Sequence, residues 1–122
     1  MSEAEFFLDN ALDFPLSESE FRIILNNLEE IDHDGNGTIV MGLKNHPGGV
    51  RLIQASKNGD MFRVDTAKES SGGKPEMFAL RAVSLKDAAE ALKDVCVRGA
   101  EPTLGSWENV TKEVLPVRRS RT

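Results

Sequence analysis

The sequence predicts an α+β domain, a four-stranded and mostly antiparallel sheet packed by two main helices, with short helices flanking them. Three observations carry that reading. Apolar residues recur at helical spacing over residues 17–31 and 85–96, but on alternate positions through much of the stretch between them. The strand-like runs follow one another with no room for the crossover that parallel neighbours need, so they pair antiparallel. The chain has 122 residues, 39% apolar and 29% charged, the make-up of one folded domain with a sizeable core.

Taken in order, Ser2-x-x-Glu5 has capping-box spacing, and Phe7, Leu8, Ala11 and Leu12 follow at helical intervals. Together they predict a short helix over 3–12, although Phe6-Phe7-Leu8 reads equally well as a strand. Phe14-Pro15-Leu16 interrupts it. Ser17-x-x-Glu20 then opens a clearer helix, with Phe21, Ile24, Leu25, Leu28 and Ile31 on one stripe. The helix ends at Asp34-Gly35-Asn36-Gly37, whose residue types favour reversal of the chain.

From Gly37 to Leu43, Ile39, Met41 and Leu43 alternate with Thr38, Val40 and Gly42, as in a half-buried strand. Lys44 to Gly49 reads as a loop. Val50–Ser56 and Met61–Ala67 flank Lys57-Asn58-Gly59-Asp60, and Asn-Gly is a strong hairpin signal. A two-residue turn pairs Ala55 with Phe62 and Ile53 with Val64, leaving Gln54 and Arg63 to share the opposite face. Residues 68–75 form a polar loop. Met77–Val83 is the fourth strand, with Phe78, Leu80 and Ala82 toward the core.

Ser84 caps the second main helix, in which Leu85, Ala88, Ala89, Leu92, Val95 and Cys96 form the apolar seam and Gly99 marks the end. Trp107, Val110 and Val114 predict a short last helix. The domain is expected over 1–116, followed by a basic tail, 117–122, bearing Arg118, Arg119 and Arg121.

Charge is unevenly distributed. Residues 1–36 hold ten Asp and Glu against Arg22 alone, whereas residues 37–116 are close to neutral. An acidic third repels nucleic acid and anionic lipid and attracts a basic protein, so the expected partner is a protein and neither nucleic acid nor membrane. No apolar run approaches the length of a membrane helix, and the start Met-Ser-Glu-Ala-Glu is acidic where a secretory signal is basic, which predicts a cytoplasmic location. Cys96 has no partner for an internal disulfide.

Enzymatic chemistry finds little support. Cys96 lies on an apolar helix seam near a C-terminus, where thiols are unreactive. There is no G-x-S-x-G elbow, and Ser70-Ser71-Gly72-Gly73 lacks the lysine and following helix of a phosphate-binding loop. One Cys and two His supply no zinc cluster. The expectation is a non-enzymatic chain without a cofactor.

Asp32-His33-Asp34-Gly35-Asn36-Gly37-Thr38-Ile39 resembles the first eight positions of an EF-hand loop. Asp32, Asp34, Asn36 and Thr38 stand where calcium ligands would, after an amphipathic helix. The resemblance stops there: the twelfth position is Leu43 instead of a bidentate Glu, and the outgoing helix is replaced by a strand pattern. Local turn chemistry accounts for the same residues. His46-Pro47-Gly48-Gly49 resembles the haem-ligand motif of the cytochrome b5 family, but no second histidine follows it.

In size, acidity and lack of catalytic equipment, the chain resembles the small immunity proteins of bacterial toxin systems, including contact-dependent inhibition. That resemblance implies a protein that neutralises a cognate toxin by covering its active site. A basic toxin domain would then meet the acidic helix, with Glu18, Glu29, Glu30, Asp32 and Asp34 as the expected contacts. The alternative expectation is a weak calcium-binding regulatory module using the degenerate loop 32–43.

Overall fold

A computed structural model describes residues 4–7, 11–69, 74–102 and 107–111. Its elements run β1 (Ala4–Phe7), β2 (Leu12–Asp13), α1 (Glu18–Asp34), β3 (Asn36–Lys44), β4 (Val50–Asn58), β5 (Phe62–Glu69), β6 (Pro75–Val83), α2 (Leu85–Cys96) and β7 (Glu108–Asn109). The class is α+β, but the sheet is not the four-stranded one expected. Six strands lie side by side in the order β1-β3-β4-β5-β6-β7, and β2 adds a two-residue pairing to β3.

The sheet is also mixed, because β1 and β2 both run parallel to β3 while β3 to β7 pair antiparallel. The parallel pairing is possible because α1 lies between β1 and β3 and serves as the crossover. The flanking helices are corrected with it. Residues 4–7 form an edge strand in place of the expected first helix, and 108–109 form a short strand at the start of the stretch expected as the last helix, which is described only as far as Thr111. Ser2, Leu8 and Val114, on which those expectations partly rested, lie outside the described residues.

The α1 helix follows its sequence signals closely. Ser17 Oγ accepts from Glu20 N–H, and the Glu20 carboxylate accepts from Ser17 N–H, which closes the capping box. Gly35 takes a left-handed conformation (φ 84°) and donates its N–H to Ile31 O, ending the helix. Phe21, Ile24, Leu28 and Ile31 are buried, each contributing on the order of 1.5–3 kcal/mol by leaving water. The α2 helix is capped by Ser84, whose Oγ accepts from Asp87 N–H. It buries Ala88, Ala91, Leu92, Val95 and Cys96.

Both helices cover one face of the sheet, onto which Ile39, Met41, Ile53, Ala55, Phe62 and Val64 project. The hairpin register differs from the expected one by two residues. Ala55 faces Val64 and Lys57 faces Phe62, so four residues, 58–61, make the turn. A two-residue shift preserves the period of a strand, and the same side chains therefore stay inside.

Two bulges adjust the pattern elsewhere. One between Val50 and Leu52 turns Val50 inward. The other, opposite Phe62 and Val64, brings Leu80 and Val83 toward the core and leaves Ala82 exposed, contrary to the alternation read from the sequence. No helix among the described residues is long and apolar enough to cross a membrane.

Candidate functional sites

The five acidic residues expected to form one contact surface do not all belong together. Glu18 lies in the first turn of α1, where a carboxylate is favoured by the helix dipole, about 24 Å along the axis from Asp34. Asp32 is engaged: its Oδ1 accepts from Lys57 Nζ, whose side chain is only 8% exposed and lies 5.4 Å from the centre of the Phe62 ring. Glu29, Glu30 and Asp34 remain exposed in the last two turns. The β4–β5 turn joins them there, since Gly59 N–H donates to Gly35 O (3.0 Å) and Asp60 stands exposed in that turn. Asp60 was missed because its turn meets the end of α1 through residues 24 positions apart in the chain.

That arrangement bears on calcium as well. The helix runs through Asp34 and the strand begins at Asn36, so Asp32, Asp34, Asn36 and Thr38 do not wrap around a common point as loop ligands do. No group of three or more His, Cys, Asp or Glu side chains is placed to hold a metal among the described residues.

His46 is a structural clamp. Gly48 N–H donates to its Nδ1 (2.9 Å), which makes Nδ1 the acceptor and leaves Nε2–H to donate to Val95 O (3.0 Å). The Phe14 ring packs at 5.1 Å, and a Cβ at Gly48 would fall 2.4 Å from Glu101 Cγ, so a side chain there would displace Glu101. Burial holds the imidazole pKa below its ordinary value, against smaller opposing effects of the Val95 bond and the Glu101 charge. The His-Pro-Gly-Gly segment thus ties the β3–β4 loop to the C-terminus of α2. Cys96 is buried beside it, and burial pushes its thiol up to about 12, so it carries no thiolate at neutral pH.

The face of the sheet away from the helices holds a second constellation. Strand pairing sets Thr38 beside Ser56 and Ser56 beside Arg63, and the β6 bulge brings Arg81 to the end of that row. The next row carries Val40, Gln54, Asp65, Ala79 and Glu108. Arg63 Nε donates to both oxygens of Asp65 (3.0 and 3.2 Å), and Arg81 makes a two-point contact with Glu108 (2.7 and 3.0 Å).

Asp65 is mostly covered, and burial raises its carboxyl pKa, with Arg63 and then Arg81 pulling it back. A hollow of about 450 Å³ opens over the first row, and a second of about 280 Å³ adjoins it through Ser56 and Arg63. Leu52 and Met61, 37% and 46% exposed, stand on the linings. Sequence reasoning missed the row. It placed Gln54 and Arg63 on this face, but the register read from a two-residue turn set Arg63 against Gln54 instead of Ser56.

No protein-family model matches the chain, and comparison with curated proteins and with solved structures yields no match either.

Proposed function

We propose that this protein is a non-enzymatic protein-binding module that engages a basic partner through the C-terminal end of α1. The observation that carries the reading is the position of Glu29, Glu30 and Asp34. They crowd the end of the helix where the dipole is already negative, with His33 as the one basic residue of the last turn. Asp34, in the last turn, costs the helix about 0.3–1 kcal/mol instead of supporting it, and Glu29 and Glu30 one turn earlier add no dipole support. Residues that work against the stability of their own helix are explained by a role outside it.

The chemistry fits a basic domain whose cleft is closed by an acidic one, as a small immunity protein acting in the cytoplasm closes the active site of a cognate toxin. Size, acidity and the protonated Cys96 support this reading over a catalytic one.

The test is the triple variant Glu29→Lys, Glu30→Lys, Asp34→Lys. The wild type captures a basic protein in a salt-sensitive manner, and the variant loses it while melting at a higher temperature. Because the variant gains stability, lost capture cannot be assigned to misfolding. Equal capture by both proteins would remove this surface from consideration.

A further inference from the structure

We propose that the hollow over Thr38, Ser56 and Arg63 is a binding site for a small oxyanion, a phosphate or carboxylate group carried by a solute. This site borders the acidic end of α1 at Asp60 but does not rest on the reading given for that end.

The argument begins with hydrogen-bonding capacity. Thr38, Ser56 and Arg63 are consecutive cross-strand neighbours on β3, β4 and β5, so their side chains stand side by side on one face, with adjacent strands about 4.8 Å apart. Among the described residues, neither hydroxyl has a hydrogen-bond partner. Arg63 uses only Nε on Asp65, so its two terminal nitrogens have no acceptor among the described residues. Arg81, at the end of the row, is held by Glu108. A row of donors lacking protein acceptors is completed by a ligand rich in acceptors, and a guanidinium fork matches the geometry of a carboxylate or phosphate.

Charge leaves the choice to the donors. Arg63 and Arg81 line the hollow, each paired with a carboxylate of the next row, and Asp60 is the carboxylate of the described lining itself. Lys57 borders the hollow too, but its ammonium is turned to Asp32 on the helix side. Asp65 and Glu108 stand in the neighbouring row, each engaged with a guanidinium, where they fix its orientation. Met61 gives the wall an apolar patch for the body of the solute. A volume of about 450 Å³ lies within the range of small-molecule sites, and the partly buried, shifted Asp65 beside it is typical of such sites.

The test is an amide and side-chain NMR titration of the full chain at low ionic strength, with inorganic phosphate in one arm and sodium acetate in the other. A saturable response at Thr38, Ser56 and Arg63 with a dissociation constant near or below a millimolar is expected, weakening as salt is added. Saturation by phosphate alone or by acetate alone supports the site and fixes which group it takes. Arg63→Gln is expected to weaken binding about tenfold or more, and Arg63→Lys, which keeps charge but not the fork, by less.

Thr38→Val with Ser56→Ala keeps both guanidiniums and is expected to weaken binding about threefold, a check should Arg63 variants fail to fold. The proposal is overturned by linear, unsaturated shifts up to roughly 20 mM of both anions. It is equally overturned by saturation that a folded Arg63→Gln variant leaves unchanged.

Discussion

The two faces of the sheet are built from the same strands and alternate residues, yet they obey different rules. On the covered face, Ile39, Met41, Ile53, Ala55, Phe62 and Val64 are almost completely buried under α1 and α2, and each neighbour limits the shape of the next. On the other face, guanidiniums and carboxylates hold one another through ion pairs, beside hydroxyls with no protein partner among the described residues, and most of these side chains stay partly exposed. The first face stabilises the molecule by removing apolar surface from water. The second contributes little to stability, because partly solvated pairs are worth at most about 1 kcal/mol, and it is the face free to do something else.

Mutations should separate the faces in this order. Leu92→Ala, in the covered layer, is expected to cost about 2–5 kcal/mol in urea unfolding, because the lost methyl groups leave a cavity. A loss under about 1 kcal/mol would mean that the layer is loosely packed. Lys57→Met should cost about 1–3 kcal/mol, between the values for buried and exposed pairs, since Asp32 is left half-covered without its cation. The added mutation Asp32→Asn should recover part of that loss, a coupling that a double-mutant cycle measures directly.

His46 adds a pH dependence to the covered side. Its folded-state pKa lies below the unfolded value, so the unfolded chain binds more protons as the pH falls. Stability is therefore whole above about 6.5, is lost progressively below it, and levels off beneath the folded value. Urea midpoints measured from pH 8 to 5 should show this slope, and His46→Gln should flatten it. A thiol reagent should modify Cys96 only as the chain unfolds.

The smallest effect belongs to the open face, where Leu52→Ser should change stability by no more than about 0.5 kcal/mol. Calcium at millimolar concentration should give only heats of dilution, since Asp32 is bound to Lys57 and α1 continues through Asp34. A saturable heat would restore the loop reading.

Legibility differed between the faces as well. The apolar stripe of α1, its capping box, the seam of α2 and the buried residues of the hairpin were all readable, since a helix or strand that buries one side writes that period into its own sequence. The open-face row was not readable, because it depends on which strand residues lie opposite one another. The 58–61 turn and the β6 bulge set that register.

Sequence by itself determined the class of the fold, the two main helices and their caps, and the concentration of acid in the first third. Tertiary structure alone decided that residues 4–7 join the sheet as a parallel edge strand, a pairing of residues more than thirty apart that no local signal encodes. It also decided that Asp32 is bound to Lys57 while, among the described residues, Glu29 and Glu30 have no such partner and Asp34 meets only the neighbouring His33, and that His46 closes a loop against Val95. Local periodicity reflects burial, which each segment meets on its own. Ion pairs, register and clamps join segments distant in the chain, and their partners exist only once the chain has folded.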